Sequence, residues 1–265
     1  MDQYFLWAYL AAIVIGLVLG LIGGGGSILT VPVLTYLLGF GSVIATAYSL
    51  FIVGVTALFG AVRNFQKGLI NKKIALIFSI PALLSVYAVR RYLMPKIPEE
   101  ILHVNNWSVG KDAAIMLLFA IIMLLSALSM IRSKKKRSKP KSKSINYPLI
   151  LVEGVVVGGI TGIVGAGGGF IIIPALVLLA KLPMKEAVAT SLLIIAIKSL
   201  IGFTGDVMNL TIDWVFLLSF SAFSILGIFI GIYLNKWVEG ERLKKLFGWF
   251  VLLMAIYILW KEIDK

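Results

Sequence analysis

Two oily stretches of this chain interrupt themselves with glycine. GLIGGGGSILTVP runs from Gly20 to Pro32, and GIVGAGGGFIIIP runs from Gly162 to Pro174. A residue without Cβ adopts backbone angles that others resist and lets another group come close. In an apolar medium a backbone group without a partner is costly, so an unwound stretch belongs where it lines a cavity or is buried in protein. The helix that restarts after each gap, near Ser27 and near Phe170, points unpaired N–H groups back at the gap. Such groups, with the helix dipole behind them, attract an anion. The chemistry is binding rather than bond-making. Gly23, Gly24, Gly25, Gly26 and Ser27 on one side, and Gly165, Gly167, Gly168 and Gly169 on the other, would enclose one small polar solute. The alternative is packing. Ala12, Gly16, Gly20 and Gly24 are spaced by four, as are Gly154, Gly158, Gly162 and Ala166. That spacing makes a small-residue ridge for a neighbouring helix. Gly23, Gly25 and Gly26 lie off this ridge, as do Gly165, Gly167 and Gly168, so packing does not account for them.

Other polar residues stand in apolar surroundings. Lys198 interrupts SLLIIAIKSLIGF. An ammonium there serves anion attraction, pairs within the protein, or snorkels to an interface. Asp206 is one partner for it, but eight helical residues span about 12 Å, so a direct bond needs the chain to turn back after Gly205. Ser49, Thr190 and Ser191, with Tyr48, place hydroxyls on the helix following each break, where they donate to an oxyanion or bond their own helix. Pro32 and Pro174 kink or end the short helices. Arg63, Asn64 and Asp206 follow Gly60 and Gly202 and suit a vestibule or gate. Glu153 is a weak candidate proton carrier at an interface. His103 has no second histidine or thiolate beside it, so no metal site is expected. No cofactor is expected either: the sequence holds no GxxxxGK[ST], HExxH or GxSxG pattern and no cysteine. An enzyme is therefore not expected.

These residues must be positioned inside a membrane. The 265-residue chain is 60% hydrophobic and only 14% charged, against about 25% in soluble domains. Its mean hydropathy is +1.02. Eight apolar segments stand out, at roughly 4–38, 43–60, 74–93, 113–131, 148–180, 187–204, 212–234 and 246–260. A single span needs about 20 residues. The first and fifth segments are too long for one span, and they hold the glycines, so each is a broken or re-entrant element. Between the fourth and fifth lies RSKKKRSKPKSK, Arg132–Lys143, with eight basic residues and no acid. It reads as a cytoplasmic loop that touches anionic lipid headgroups. It has no aromatic residue to stack on bases, so no nucleic-acid partner is expected. Four crossings before this loop would put the N-terminus on the loop's own side.

The chain also repeats itself. With an offset of 142 residues, Gly16–Gly60 lies over Gly158–Gly202 without a gap, and 15 of the 45 positions are identical. The matches include six glycine pairs, Pro32/Pro174 and Ser49/Ser191. AYSL at 47–50 overlies ATSL at 189–192. Two matched halves with broken helices are a common plan of secondary transporters. The expected fold is all-α and polytopic, with about eight spans in two homologous halves. Residues 1–131 form the first transmembrane repeat, 132–147 a basic linker loop, and 148–265 the second repeat. Parallel and inverted arrangements of the halves both remain open.

The doubled glycine motif, with AYSL and ATSL after it, resembles the TauE/SafE family of sulfite and organosulfonate exporters over nearly the whole chain. The resemblance implies a multi-pass transporter of the cell membrane that moves a small sulfur-containing anion, such as sulfite, sulfoacetate or thiosulfate, with protons as the coupling ion. It places the family motif on Gly23–Ser27 with Pro32, and on Gly165–Gly169 with Pro174. Ser27 stands opposite Gly169, and Tyr48 opposite Thr190, which makes the cavity lopsided. A channel-like or non-transporting membrane assembly component is the alternative reading. A homo-oligomer is compatible with either.

Overall fold

The computed structural model describes residues 2–104, 107–132, 147–235, 237 and 240–263. Both glycine-rich segments divide at their glycines. The first gives α1 (Asp2–Ile22), a 3-10 turn (Gly24–Gly26) and α2 (Ser27–Pro32), which continues as a π-turn over Val33–Leu37. The second gives α6 (Tyr147–Val164) and α7 (Gly169–Leu178). The short helices run on through Pro32 and Pro174 instead of ending there. The remaining helices are α3 (Ser42–Gln66), α4 (Lys72–Ala88), α5 (Lys111–Arg132), α8 (Met184–Val207), α9 (Trp214–Leu234) and α10 (Gly240–Ile263). A π-turn (Val89–Leu93) and a 3-10 turn (Met94–Lys96) lengthen α4. The fold is helical except for a short antiparallel hairpin, β1 (Glu100–Val104) with β2 (Trp107–Gly110), between α4 and α5. Its polar, β-branched stretch gave no helical period to read.

Five helices, α3, α4 with its extension, α5, α8 and α9, are long and apolar enough to cross a membrane. Large apolar side chains point outward along them, among them Leu76, Leu84, Leu125, Val215 and Leu226. Exposure of this kind suits hydrocarbon and not water. The protein is a multi-pass membrane protein.

Helix directions follow from the contacts. One cavity gathers the start of α3, the extension of α4, the start of α5 and the end of α8, so these share one face of the molecule. The opposite ends, including Arg132 before the basic linker, make the other face, here termed the linker face. Of Arg132–Lys143, all but Arg132 lies outside the described residues. Gly54 packs on Leu200, Gly60 on Leu192, and Gly202 on Leu50, so α3 and α8 run antiparallel. Gly16 and Gly20 pack on Ser224 and Ile228, so α1 runs parallel to α9, from the cavity face toward the linker face. Since α3 starts on the cavity face, α2 must bring the chain back. By the same reasoning α6, parallel to α4 through Gly154 against Phe78 and Gly158 against Ala82, enters from the linker face, and α7 returns to it. Each glycine-rich element is a re-entrant hairpin. The N-terminus of α1 therefore lies opposite the linker, not beside it as four crossings would require.

The contacts recur at the 142-residue offset with the halves exchanged. The pair α1–α9 corresponds to α6–α4, while α3–α8 and α5–α10 each correspond to themselves. The capping bonds obey the same rule. Asn71 accepts from Ile74 N–H at the start of α4, and Asp213 accepts from Phe216 N–H at the start of α9. Asn71 N–H donates to Thr190 Oγ1 across the halves (3.0 Å), and Asp213 N–H donates to Tyr48 Oη (2.7 Å). Gly39 and Lys181, also 142 apart, both have positive φ. Loss of an N-cap costs about 1 kcal/mol. Asn71→Ala and Asp213→Ala are each expected to lower stability by about that amount, and by similar amounts, in urea unfolding of the detergent-solubilised protein. A loss at only one site would break the equivalence.

Candidate functional site

The two hairpins meet between α3 and α8. The backbones of Gly24 and Gly169 touch, so that a Cβ on Gly24 would fall 2.7 Å from Gly169 carbonyl carbon and equally close to Ile195. Gly23 packs on Val188 and Ser191, nearer the linker face, and Gly165 packs on Thr46, nearer the cavity face. Gly167 faces Val53 and Ser27, with a built Cβ 3.0 Å from Ser27 Cβ. Of the sequence-predicted glycines, Gly24, Gly167, Gly168 and Gly169 come together near Ser27 and Thr161, while Gly23 and Gly165 lie toward the two faces and Gly26 packs on Ile15 and Leu19 of α1.

The two breaks differ in conformation. Gly23 and Gly165 correspond, with φ of +79° and +70°. Past them the first break stays right-handed: Gly26 has φ −66° and ψ −22° and leads straight into α2. Ser27 Oγ donates to Gly24 O (2.7 Å) and closes that turn. The second break holds two further left-handed residues, Gly167 (φ +62°) and Gly168 (φ +71°). Gly168 O then accepts from Ile171 and Ile172, starting α7. Only the second break bends the backbone this far, and it is the one that meets the buried cation.

That cation is Lys198. Its side chain is fully buried, and Nζ donates to Thr161 Oγ1 at 2.7 Å. A Cβ on Gly168 would stand 3.3 Å from Nζ. Among the described residues no carboxylate pairs with it. Snorkelling is thereby excluded in this conformation, since no part of the side chain reaches the surface. The ammonium sits beside the N-terminus of α7, which is itself the positive end of a helix. Once protonated, this amine would be a second positive group beside that terminus, shielded from water and without a carboxylate among the described residues.

The other sequence candidates divide. Ser49 Oγ is buried with no hydrogen-bond partner, as is Ser199 Oγ next to Lys198 in the chain. Ser191 Oγ donates to Val188 O of its own helix (2.8 Å). Thr190 accepts the cap bond from Asn71. Asn64 donates to Gly60 O of its own helix, and Arg63 is exposed at the end of α3. Asn64 and Asp206 correspond in the repeat and for that reason lie on opposite faces. Asp206 does not approach Lys198, because α8 runs unbroken to Val207. It pairs instead with Arg90 (3.4 Å), a residue the sequence reading did not single out. Arg90 is followed by Arg91 at the end of an apolar run, the usual look of an interface arginine. Only the fold shows it turned inward. Thr161 was missed as well, since its hydroxyl among small residues gives no signal of its own.

Gly168→Ala places a side chain where φ is positive, which costs about 1–2 kcal/mol, and drives it against Thr161 and the ammonium. Gly39→Ala meets the same φ penalty but finds nothing within 4 Å. Both variants are expected to insert; Gly168→Ala is expected to lose more thermal stability than Gly39→Ala, by the added clash with Thr161, and only Gly168→Ala to lose solute flux in proteoliposomes. Equal flux in the two would detach Gly168 from the site.

Comparison with known proteins gives a consistent picture. The profile of the family described as "Sulfite exporter TauE/SafE" matches residues 8–258. A "Probable membrane transporter protein" of Xylella fastidiosa is 26% identical over 257 residues, covering 94% of this chain and 92% of the relative. The "Probable membrane transporter protein YunE" of Bacillus subtilis is 24% identical over 288 residues, covering 97% and 99%. A relative with the same description from Methanocaldococcus jannaschii is 32% identical over 117 residues, covering 42% of this chain and 44% of its own. No solved structure matches the chain.

Proposed function

Because the chain belongs to the sulfite exporter TauE/SafE family and is a membrane transporter, we propose that it is a secondary transporter of a small sulfur-containing anion, held at mid-depth where the two glycine breaks meet. The observation that carries this reading is Lys198, a fully buried ammonium whose hydrogen-bond partner is neutral Thr161, set against the break at Gly168. An oxyanion of sulfite, sulfoacetate or thiosulfate type supplies the missing negative charge. Lys198 Nζ, Thr161 Oγ1 and the first N–H groups of α7 are the donors for it. Leaving an uncompensated charge in the protein interior costs several kcal/mol. Anion and proton therefore load together, which makes the lysine the coupling group and the proton gradient the driving force.

We further propose that the two homologous halves are inverted. The opposite directions of α3 and α8, and of the two hairpins, support this. Rocking of one half against the other would then expose the shared site to each face in turn. The linker face is the cytoplasmic one. It receives Arg63, Lys67, Lys72 and Lys73 around the α3–α4 connection, Arg132 at the end of α5, and Arg242, Lys244 and Lys245 in the first turns of α10. The cavity face carries far fewer basic residues in its connections, as the positive-inside rule requires.

The test is sulfite flux into proteoliposomes with and without an imposed pH gradient. Saturable flux that follows the gradient is expected, with Lys198→Met lowering sulfite affinity at least tenfold. Unchanged affinity in that variant would remove the lysine from the site, and unsaturable conductance would favour a channel. Replacing the basic residues of Arg132–Lys143 by serine is expected to disturb orientation more than turnover, read by protease access to inverted and right-side-out vesicles. Normal orientation with lost turnover would contradict the assignment of that loop.

A further inference from the structure

Among the described residues, Arg90 is the largest fully buried side chain. It sits in the π-turn that lengthens α4, a local widening that often marks a functional position. Its Nη1 donates to Thr46 Oγ1 of α3 (3.1 Å) and lies 3.4 Å from Asp206 Oδ2 of α8. Its Nε and Nη2 have no hydrogen-bond partner, although no part of the side chain is exposed. Each buried donor left unmade is costly, and those on a charged group more so. These two nitrogens form one planar edge of the guanidinium, the edge that takes two oxygens of an oxyanion at once. Arg90 and Asp206 line a cavity of about 390 Å³ on the face opposite the basic linker. A water molecule occupies about 30 Å³ of liquid, so a four-atom oxyanion and its remaining hydration fit in the cavity; Nε and Nη2 are closed off from it in this conformation, and the anion reaches them by displacing the side chains between.

We propose that this cavity is a second binding station, where the free edge of Arg90 holds a small oxyanion on the face opposite the linker. It is separate from the deep site: Lys198 does not line it and lies eight residues, about 12 Å, further along α8. The rest of the lining sets its strength. Asp206 already neutralises Arg90. Lys111 is 3.9 Å from Glu99, whose side chain is exposed, and Asp112 adds a second carboxylate at the mouth. The formal charge of these five groups is negative by one, so the station binds weakly and releases readily. Recognition comes from the paired N–H edge and not from excess positive charge, which favours an oxyanion over a halide. The fixed link from Arg90 through Thr46 to Gly165 connects this station to the second glycine break. The inverted partner position of Arg90 is Ile232, and that of Asp206 is Asn64, so the linker face has no equivalent pair.

The experiment is calorimetric titration of sodium sulfite, with sodium chloride as competitor at constant ionic strength, into the full-length protein in lipid nanodiscs. Lys198→Met is used as the background, so that only the second station reports. This background is expected to keep one weak sulfite site. Adding Arg90→Gln with Asp206→Asn, which leaves no unpaired buried charge, is expected to weaken it at least tenfold. Adding Arg90→Lys instead keeps the charge and the pairing with Asp206 but removes the planar edge, and is expected to abolish the preference for sulfite over chloride. That second variant serves if the neutral pair does not fold. Sulfite binding unchanged by the Arg90 substitutions, no binding at all in Lys198→Met, or chloride competing as well as sulfite in that background would each overturn the proposal and leave water as the occupant. If Lys198→Met binds as the wild type does, the deep-site reading fails, and this proposal is decided by the Arg90 variants alone.

Discussion

Everything in this fold turns on the contact between Gly24 and Gly169. Two backbones meet there without side chains between them, at a depth where neither water nor lipid headgroups can satisfy what the helices leave open. The contact needs residues without Cβ on both sides, and the left-handed turns at Gly23 and Gly165 just before it are where the two helices break. The breaks force each chain to turn back toward its own face. The returning helices α2 and α7 then begin at mid-depth, and the N-terminus of α7 is set beside Lys198. A buried lysine and the N-terminus of a helix are thereby brought together away from the surface.

The two halves satisfy the same constraint with unequal means. The capping exchange, Asn71 to Thr190 and Asp213 to Tyr48, uses different side chains for the same bond. Gly39 and Lys181 share a positive φ although only one is glycine. Lys198 corresponds to Thr56, whose hydroxyl donates to Ile52 O of its own helix. Arg90 corresponds to Ile232. The two halves share a backbone pattern, but each buried charge stands in one half without a charged counterpart in the other: Arg90 in the first, Lys198 and Asp206 in the second.

The glycine breaks were legible from the sequence because an apolar run too long for one span must be explained, and the 142-residue offset made the glycines stand out from composition. The oily residues flanking Lys198 marked it as unusual but left burial and snorkelling both open, and the fold decides for burial. Re-entrance was not legible. The number of crossings depends on whether the chain continues or returns at Gly23 and Gly165, and a break permits both. The partner of Asp206 was not legible either: spacing along α8 excluded Lys198, but the partner came from α4, brought close only by tertiary packing. The hydroxyls behaved as their chemistry allows. Ser191 turned to its own helix and Thr190 to a cap, leaving Ser49 unpartnered. The hairpin at Glu100–Gly110 escaped a reading tuned to helical periods.

The most direct measurement is a structure determined with selenite in place of sulfite, with selenium located by anomalous scattering. A selenium peak beside Lys198 Nζ and Thr161, against the break at Gly168, is the expected result. A site at that place closed by neighbouring side chains, with selenium found only elsewhere or not at all, would contradict the account.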